Sequence, residues 1–193
     1  MRALLESRGC TRADVERLLR LAPELDSADM NMERAGEVLG LLAEILGLDG
    51  GRIARVCIKH PRMLSSPPGR VAEARDFLVQ DLGMCGDDLL SLVQRFPHVL
   101  TYPVQAHLRP HVAYLGSLGE EDVAGLVRQR PHVLGEGIES VIKFLQLCRM
   151  PRKEIFRLLR SYPLDYCIQL KAPLAIAIIT ADALPEDGGS SEL

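Results

Sequence analysis

The chain has 193 residues, 47% hydrophobic, 25% charged and 4% aromatic, with a formal net charge of −3 and a pI of about 6.0. That is long enough to bury a core without disulfide staples and too apolar for a disordered chain. It also excludes a protein that coats nucleic acid through strong bulk positive charge. Cys10, Cys57, Cys85, Cys148 and Cys167 stand singly without a Cys-x-x-Cys, so their odd number points to a reducing compartment rather than a disulfide framework. The longest apolar run, Leu174 to Ile179, falls far short of the roughly 20 residues that a membrane span needs. The opening MRALLESRGCTRADVERLL carries Glu6, Asp14 and Glu16 and has no secretory apolar core. Either nothing targets the chain, or its true beginning lies upstream.

In chain order, one element recurs. The first helix is predicted from near Asp14 to Pro23 in RLAPEL. Equivalent prolines follow at Pro61 in IKHPRML, Pro97 in RFPHVL, Pro131 in RQRPHVL and Pro163 in RSYPLDY, at separations of 38, 36, 34 and 32 residues. Eight residues before these prolines stand Val15, Ile53, Leu89, Val123 and Ile155. Five before stand Leu18, Val56, Leu92, Leu126 and Leu158, and four before stand Leu19, Cys57, Val93, Val127 and Leu159. This is the spacing of one buried helix face, and apolar residues at all these positions would arise by chance with a probability on the order of 10⁻⁵.

The proline itself predicts where each first helix stops, because it disfavours helical geometry in the residue before it and has no N–H to donate. Asp14, Asp88, Asp122 and Glu154, nine places earlier, mark the starts by meeting the positive end of the helix dipole; Arg52 breaks that column. After the prolines, Met63-Leu64, Val99-Leu100 and Val133-Leu134 predict a tight helical turn closing over the core. A second helix then runs to a Leu-Gly pair, Leu46-Gly47, Leu82-Gly83 and Leu118-Gly119, where glycine can take the left-handed conformation that ends a helix. Second helices are predicted near 32–46, 71–82, 105–118 and 138–148. In the fourth unit Arg149-Met150-Pro151 replaces the glycine. Neither helix of a unit can bury its apolar face alone, so the units must stack. The expected fold is all-α, a superhelical solenoid of about five helix-pair repeats spanning residues 1–184, followed by a disordered tail, 185–193.

The stretch FPHVLTYPVQAHLRPHVAYLGSLGEEDVAGLVRQRPHVL resembles the repeat of the mitochondrial transcription termination factor family, with its Pro-x-x-Leu turn, its helix ending in Leu-Gly and its following helix with paired aliphatics. The resemblance covers residues 10 to 170. It implies an array of helix pairs in mitochondria or chloroplasts that binds double-stranded DNA or RNA in a groove and influences transcription termination, initiation or RNA processing. Proteins of the organelle transcription machinery are the implied further partners, and no cofactor is implied.

Charge distribution is compatible with that reading. At six, three and two places before the prolines stand Arg17, Arg20, Arg55, Lys59, Arg95, Arg128, Arg157 and Arg160, and no acid occupies these columns. Places six and two, or six and three, lie one helical turn apart, so stacking would line the cations into a ridge. Arg130, Arg62, Arg109, Lys143, Arg152, Lys153 and Lys171 could extend it. The candidate nucleic-acid-binding residues are thus Arg17, Arg20, Arg55, Lys59, Arg95, Arg128, Arg130, Arg157 and Arg160. Cations in a last turn also complement the helix dipole, which is an ordinary structural role. Phosphate contacts from such a ridge would give affinity and orientation but little sequence discrimination.

Catalysis finds little support. His107 and His111 have the spacing of a helical metal pair, but no general-base glutamate accompanies them and Pro110 interrupts the helix. Gly50-Gly51-Arg52 reads as a helix entry, and Glu120, Glu121, Asp122 and the pair Asp87-Asp88 read as solvated helix starts. Cys57, in a core column, is expected to be inert packing, and His98 and His132 to be exposed loop residues. The expectation is therefore a monomeric, non-enzymatic nucleic-acid-binding repeat protein without a metal or a membrane segment. The alternative is a solenoid of the same shape that binds another protein.

Overall fold

A computed structural model describes residues 1–27 and 30–161. Pro163 and its turn, Cys167, Lys171, the run Leu174 to Ile179 and the expected tail lie outside these residues. Among the described residues the regular structure is all helical, with no strand, and no helix is long and apolar enough to cross a membrane. The described residues fall into two compact units, divided after Gly135.

The first unit opens with a short helix α1 (Arg2–Ser7), which the sequence pattern did not signal. Proline-ended first helices then alternate with second helices: α2 (Arg12–Leu21), α3 (Met32–Leu46), α4 (Gly50–Lys59), α5 (Pro68–Gln80), α6 (Asp87–Arg95), α7 (Arg109–Ser117) and α8 (Val123–Gln129). A 3-10 turn follows each first helix, at Pro23–Asp26, Pro61–Ser65, Pro97–Thr101 and Pro131–Leu134. First helices pack on first helices, α2 on α4 and α4 on α6, while α3 packs on α5. This is the expected helical-repeat stacking. In the second unit, α9 (Ile138–Leu147) packs against α10 (Arg152–Ser161).

The local causes repeat as closely as the elements. Ala22, His60, Phe96 and Arg130, each just before a proline, share one backbone geometry, with φ between −143° and −135° and ψ between 71° and 75°. Starts are fixed by side-chain caps: Thr11, Asn31, Asp49 and Asp122 accept the N–H three residues on, from Asp14, Arg34, Arg52 and Gly125. The break at Arg52 in the acidic column is thereby explained, because Asp49 caps that helix instead. Gly47, Gly83 and Gly119 take φ of 73°, 63° and 92°, as helix-ending glycines should. Where the fourth unit lacks glycine, Arg149 itself is forced to φ 55°.

Of the three apolar columns, all residues are buried except Val123 and Leu158, which are half-buried. Met63, Leu64, Val99, Leu100, Val133 and Leu134 close the core behind the prolines. One second helix departs from regularity. Residues Val104–Leu108 form a wider π turn before α7, with the Leu108 and Arg109 N–H groups reaching back to Pro103 and Val104. Pro110 cannot donate and its ring would strike a carbonyl four residues back, so the widened turn accommodates it.

Candidate nucleic-acid interface

The exposed edge of the first helices carries the candidate cations. Arg17 on α2, Arg55 and Lys59 on α4, and Arg95 on α6 line one cleft of about 420 Å³, together with Asp14, Ile58 and Gln94. Three neighbouring repeats thus contribute four cations against one carboxylate. All four cations are exposed. Among the described residues, Arg17 and Arg55 make no ion pair or hydrogen bond. Lys59 and Arg95 are engaged: Lys59 Nζ donates to the Gln94 carbonyl at 2.6 Å, and Arg95 donates to the carbonyls of Gln129 at 3.0 Å and Arg128 at 2.5 Å.

The remaining candidates lie elsewhere. Arg20 lines a separate depression with Arg2, Glu16 and Asp26, so its one-turn spacing from Arg17 does not bring it into the cleft. Arg128 Nε stands 2.9 Å from Asp88 Oδ2 as an ion pair across α6 and α8. Arg130 is half-buried at the end of α8. Arg157 and Arg160 belong to the second unit, where Arg157 pairs with Glu154 at 2.7 Å and Arg160 is half-buried. Among the second-helix cations, Arg75 pairs with Glu44 and Asp76, Arg109 with both Asp81 oxygens and Lys143 with Glu139, whereas Arg34 and Arg70 are exposed and outside these pairs. The four cations of the cleft form no ion pair among the described residues, and they are gathered in one place. Asp14, which the cation columns do not contain, enters the cleft because it sits one turn before Arg17.

The histidines form a second feature. The rings of His60 and His98 pack with centroids 4.0 Å apart and planes tilted by 38° across successive units, and Phe96 contacts both His98 and His132. His98 is half-buried rather than exposed, whereas His132 is exposed. Burial, then neighbouring His98 and Arg62, pushes the His60 pKa down to about 4, and burial lowers that of His98. His107 and His111 stack in near-parallel planes at 4.0 Å, with His107 Nε2 donating to the Leu134 carbonyl and His111 Nδ1 to the His107 carbonyl. Parallel rings with a nitrogen each committed to a carbonyl cannot converge on one ion, and no cluster of three or more potential metal ligands occurs among the described residues. Cys57 is fully buried and its thiol is pushed up to about 12 by desolvation, then by nearby Cys10, so it is packing rather than a nucleophile.

The proline-ended repeats of residues 3–119 match the family model of mTERF. This chain belongs to the mTERF family. Proteins of the mTERF family are organelle nucleic-acid-binding repeat proteins that act in transcription regulation without enzymatic activity. The match contains the whole four-cation cleft of this mTERF protein. No curated protein matches the chain.

Proposed function

We propose that this mTERF protein binds double-stranded nucleic acid, preferentially DNA, along the first-helix edge and thereby regulates or terminates transcription in mitochondria or chloroplasts. The carrying observation is the convergence of Arg17, Arg55, Lys59 and Arg95 from three repeats into one exposed cleft with a single carboxylate. A polyanion is the chemical partner of such a surface, since guanidinium groups on adjacent stacked helices can meet successive phosphates. Arg20, Arg128 and Arg130 in the first unit, and Arg157 and Arg160 in the second, are further proposed phosphate contacts outside this cleft. The protein acts as a monomer alongside other components of the organelle transcription machinery.

Titrating a labelled 20-base-pair duplex at about 50 and 200 mM salt tests this, because even two phosphate contacts weaken binding about tenfold over that range. A smaller loss, or no binding at the lower salt, refutes the proposal. A second reading is a scaffold for another protein. Its support is the net charge of −3 and the neutralisation of Arg128 by Asp88 and of Arg157 by Glu154. It predicts no duplex binding at either salt.

A further inference from the structure

A helix that ends at a proline leaves its last carbonyls without intrahelical partners. At two successive junctions the preceding unit supplies one. Lys59, two places before Pro61, donates to the carbonyl of Gln94, three places before Pro97. Arg95, two places before Pro97, donates to the carbonyl of Arg128, three places before Pro131, and to that of Gln129. The same register is used twice, by two different cation types, so the contact follows from the repeat geometry. The equivalent residue is Leu21 in the first unit and Gln129 in the fourth, neither of them a cation.

We infer that the cleft cations divide into two pairs: Lys59 and Arg95 are positioning residues that clasp the next helix and set the spacing of α4, α6 and α8, while Arg17 and Arg55 meet phosphate. A cation on the negative end of a helix forms a charge-assisted hydrogen bond with a carbonyl that would otherwise lack a protein partner. A phosphate approaching Lys59 or Arg95 must displace that bond, whereas Arg17 and Arg55 have none to lose among the described residues. The division of labour rests on the nucleic-acid reading; the clasp does not.

The test compares the full chain carrying Lys59→Ala/Arg95→Ala with Arg17→Ala/Arg55→Ala, by thermal unfolding and by titration of the same duplex over a salt series. The clasp variant should lower Tm by roughly 2–4 °C per contact and weaken binding roughly three- to tenfold at fixed salt, with an unchanged salt slope. Lys59→Arg/Arg95→Lys, which keeps a donor at each place, should restore both Tm and affinity. The Arg17/Arg55 variant should keep its Tm and lose about two units of slope. The inference is overturned if the Lys59/Arg95 variant keeps its Tm and loses slope like the other. If that double variant does not fold, Lys59→Ala alone is read by the same criteria. If the wild type binds no duplex, the functional reading fails, and Tm with its rescue by Lys59→Arg/Arg95→Lys decides the clasp by itself.

Discussion

Replacing Gly50 by Ala probes the contact that sets α4 against the turn between α1 and α2. An added Cβ would overlap the Gly9 carbonyl and lie 2.7 Å from the Cys10 nitrogen, both of them backbone groups that no side-chain rotation can move aside. Gly9 is itself held at φ 78°, so it cannot be exchanged for a bulkier residue that packs differently. Overpacking of this kind costs about 3 kcal/mol, offset by about 1 kcal/mol that Ala gains over Gly in a helix. The net loss of about 2 kcal/mol corresponds to a fall in Tm of roughly 4–8 °C for a chain of this size. Gly69 is the control: it lies in the first turn of α5 with nothing within 4 Å of a built Cβ, so Gly69→Ala should raise Tm by a few degrees. Far-UV circular dichroism during heating reads both. A Gly50→Ala protein that melts at or above the wild-type temperature would refute the close approach. The contact also bears on function, because α4 carries Arg55 and Lys59 and must keep its place beside the Arg17 of α2.

Other expectations follow from single residues. Arg149→Gly should stabilise the protein by about 0.5–1 kcal/mol in urea unfolding, since glycine relieves the positive φ that arginine adopts there; equal or lower stability would contradict the strain. Leu21→Arg places a cation in the clasp column of the first unit, where Leu21 is 59% exposed, and should raise Tm by contact with the carbonyls at the end of α4; an unchanged Tm would limit the clasp to the two observed junctions. For His60 the folded pKa lies below the unfolded value, so its neutral form is the one the fold prefers. Its contribution is complete above the unfolded value of 6.5 and is lost as pH falls toward about 4. Allowing for the partial exposure of the ring, the loss at pH 5 is about 1 kcal/mol, and His60→Gln should flatten the pH dependence of stability across that window. An equally steep dependence in the variant would assign the effect to other groups.

Helix ends, core columns and helix-ending glycines are legible in the sequence because each depends on local chemistry. Pro61 stops α4 wherever the chain goes next, and Leu82-Gly83 ends its helix with a conformation that only glycine adopts freely. The cleft is half legible. A constant register predicts that Arg17, Arg55, Lys59 and Arg95 come together, and they do. It does not predict that Lys59 and Arg95 turn toward carbonyls of the following unit, because the acceptor is a backbone group some 35 residues away whose availability depends on how closely the helices stack. Nor does it separate Arg20 from Arg17, which lie one helical turn apart yet line different depressions, because the residues that wall each depression come from different elements. The contact of His60 with His98 is similarly a product of packing, since the two occupy different places relative to their prolines.

The most direct measurement for the cleft is the salt dependence of duplex affinity, by fluorescence anisotropy, for the wild type and Arg17→Ala/Arg55→Ala side by side. A logarithmic plot should be steep for the wild type and shallower by about two units for the variant. Parallel lines would show that these two arginines touch no phosphate, and would remove the cleft from the account of how this mTERF protein meets nucleic acid.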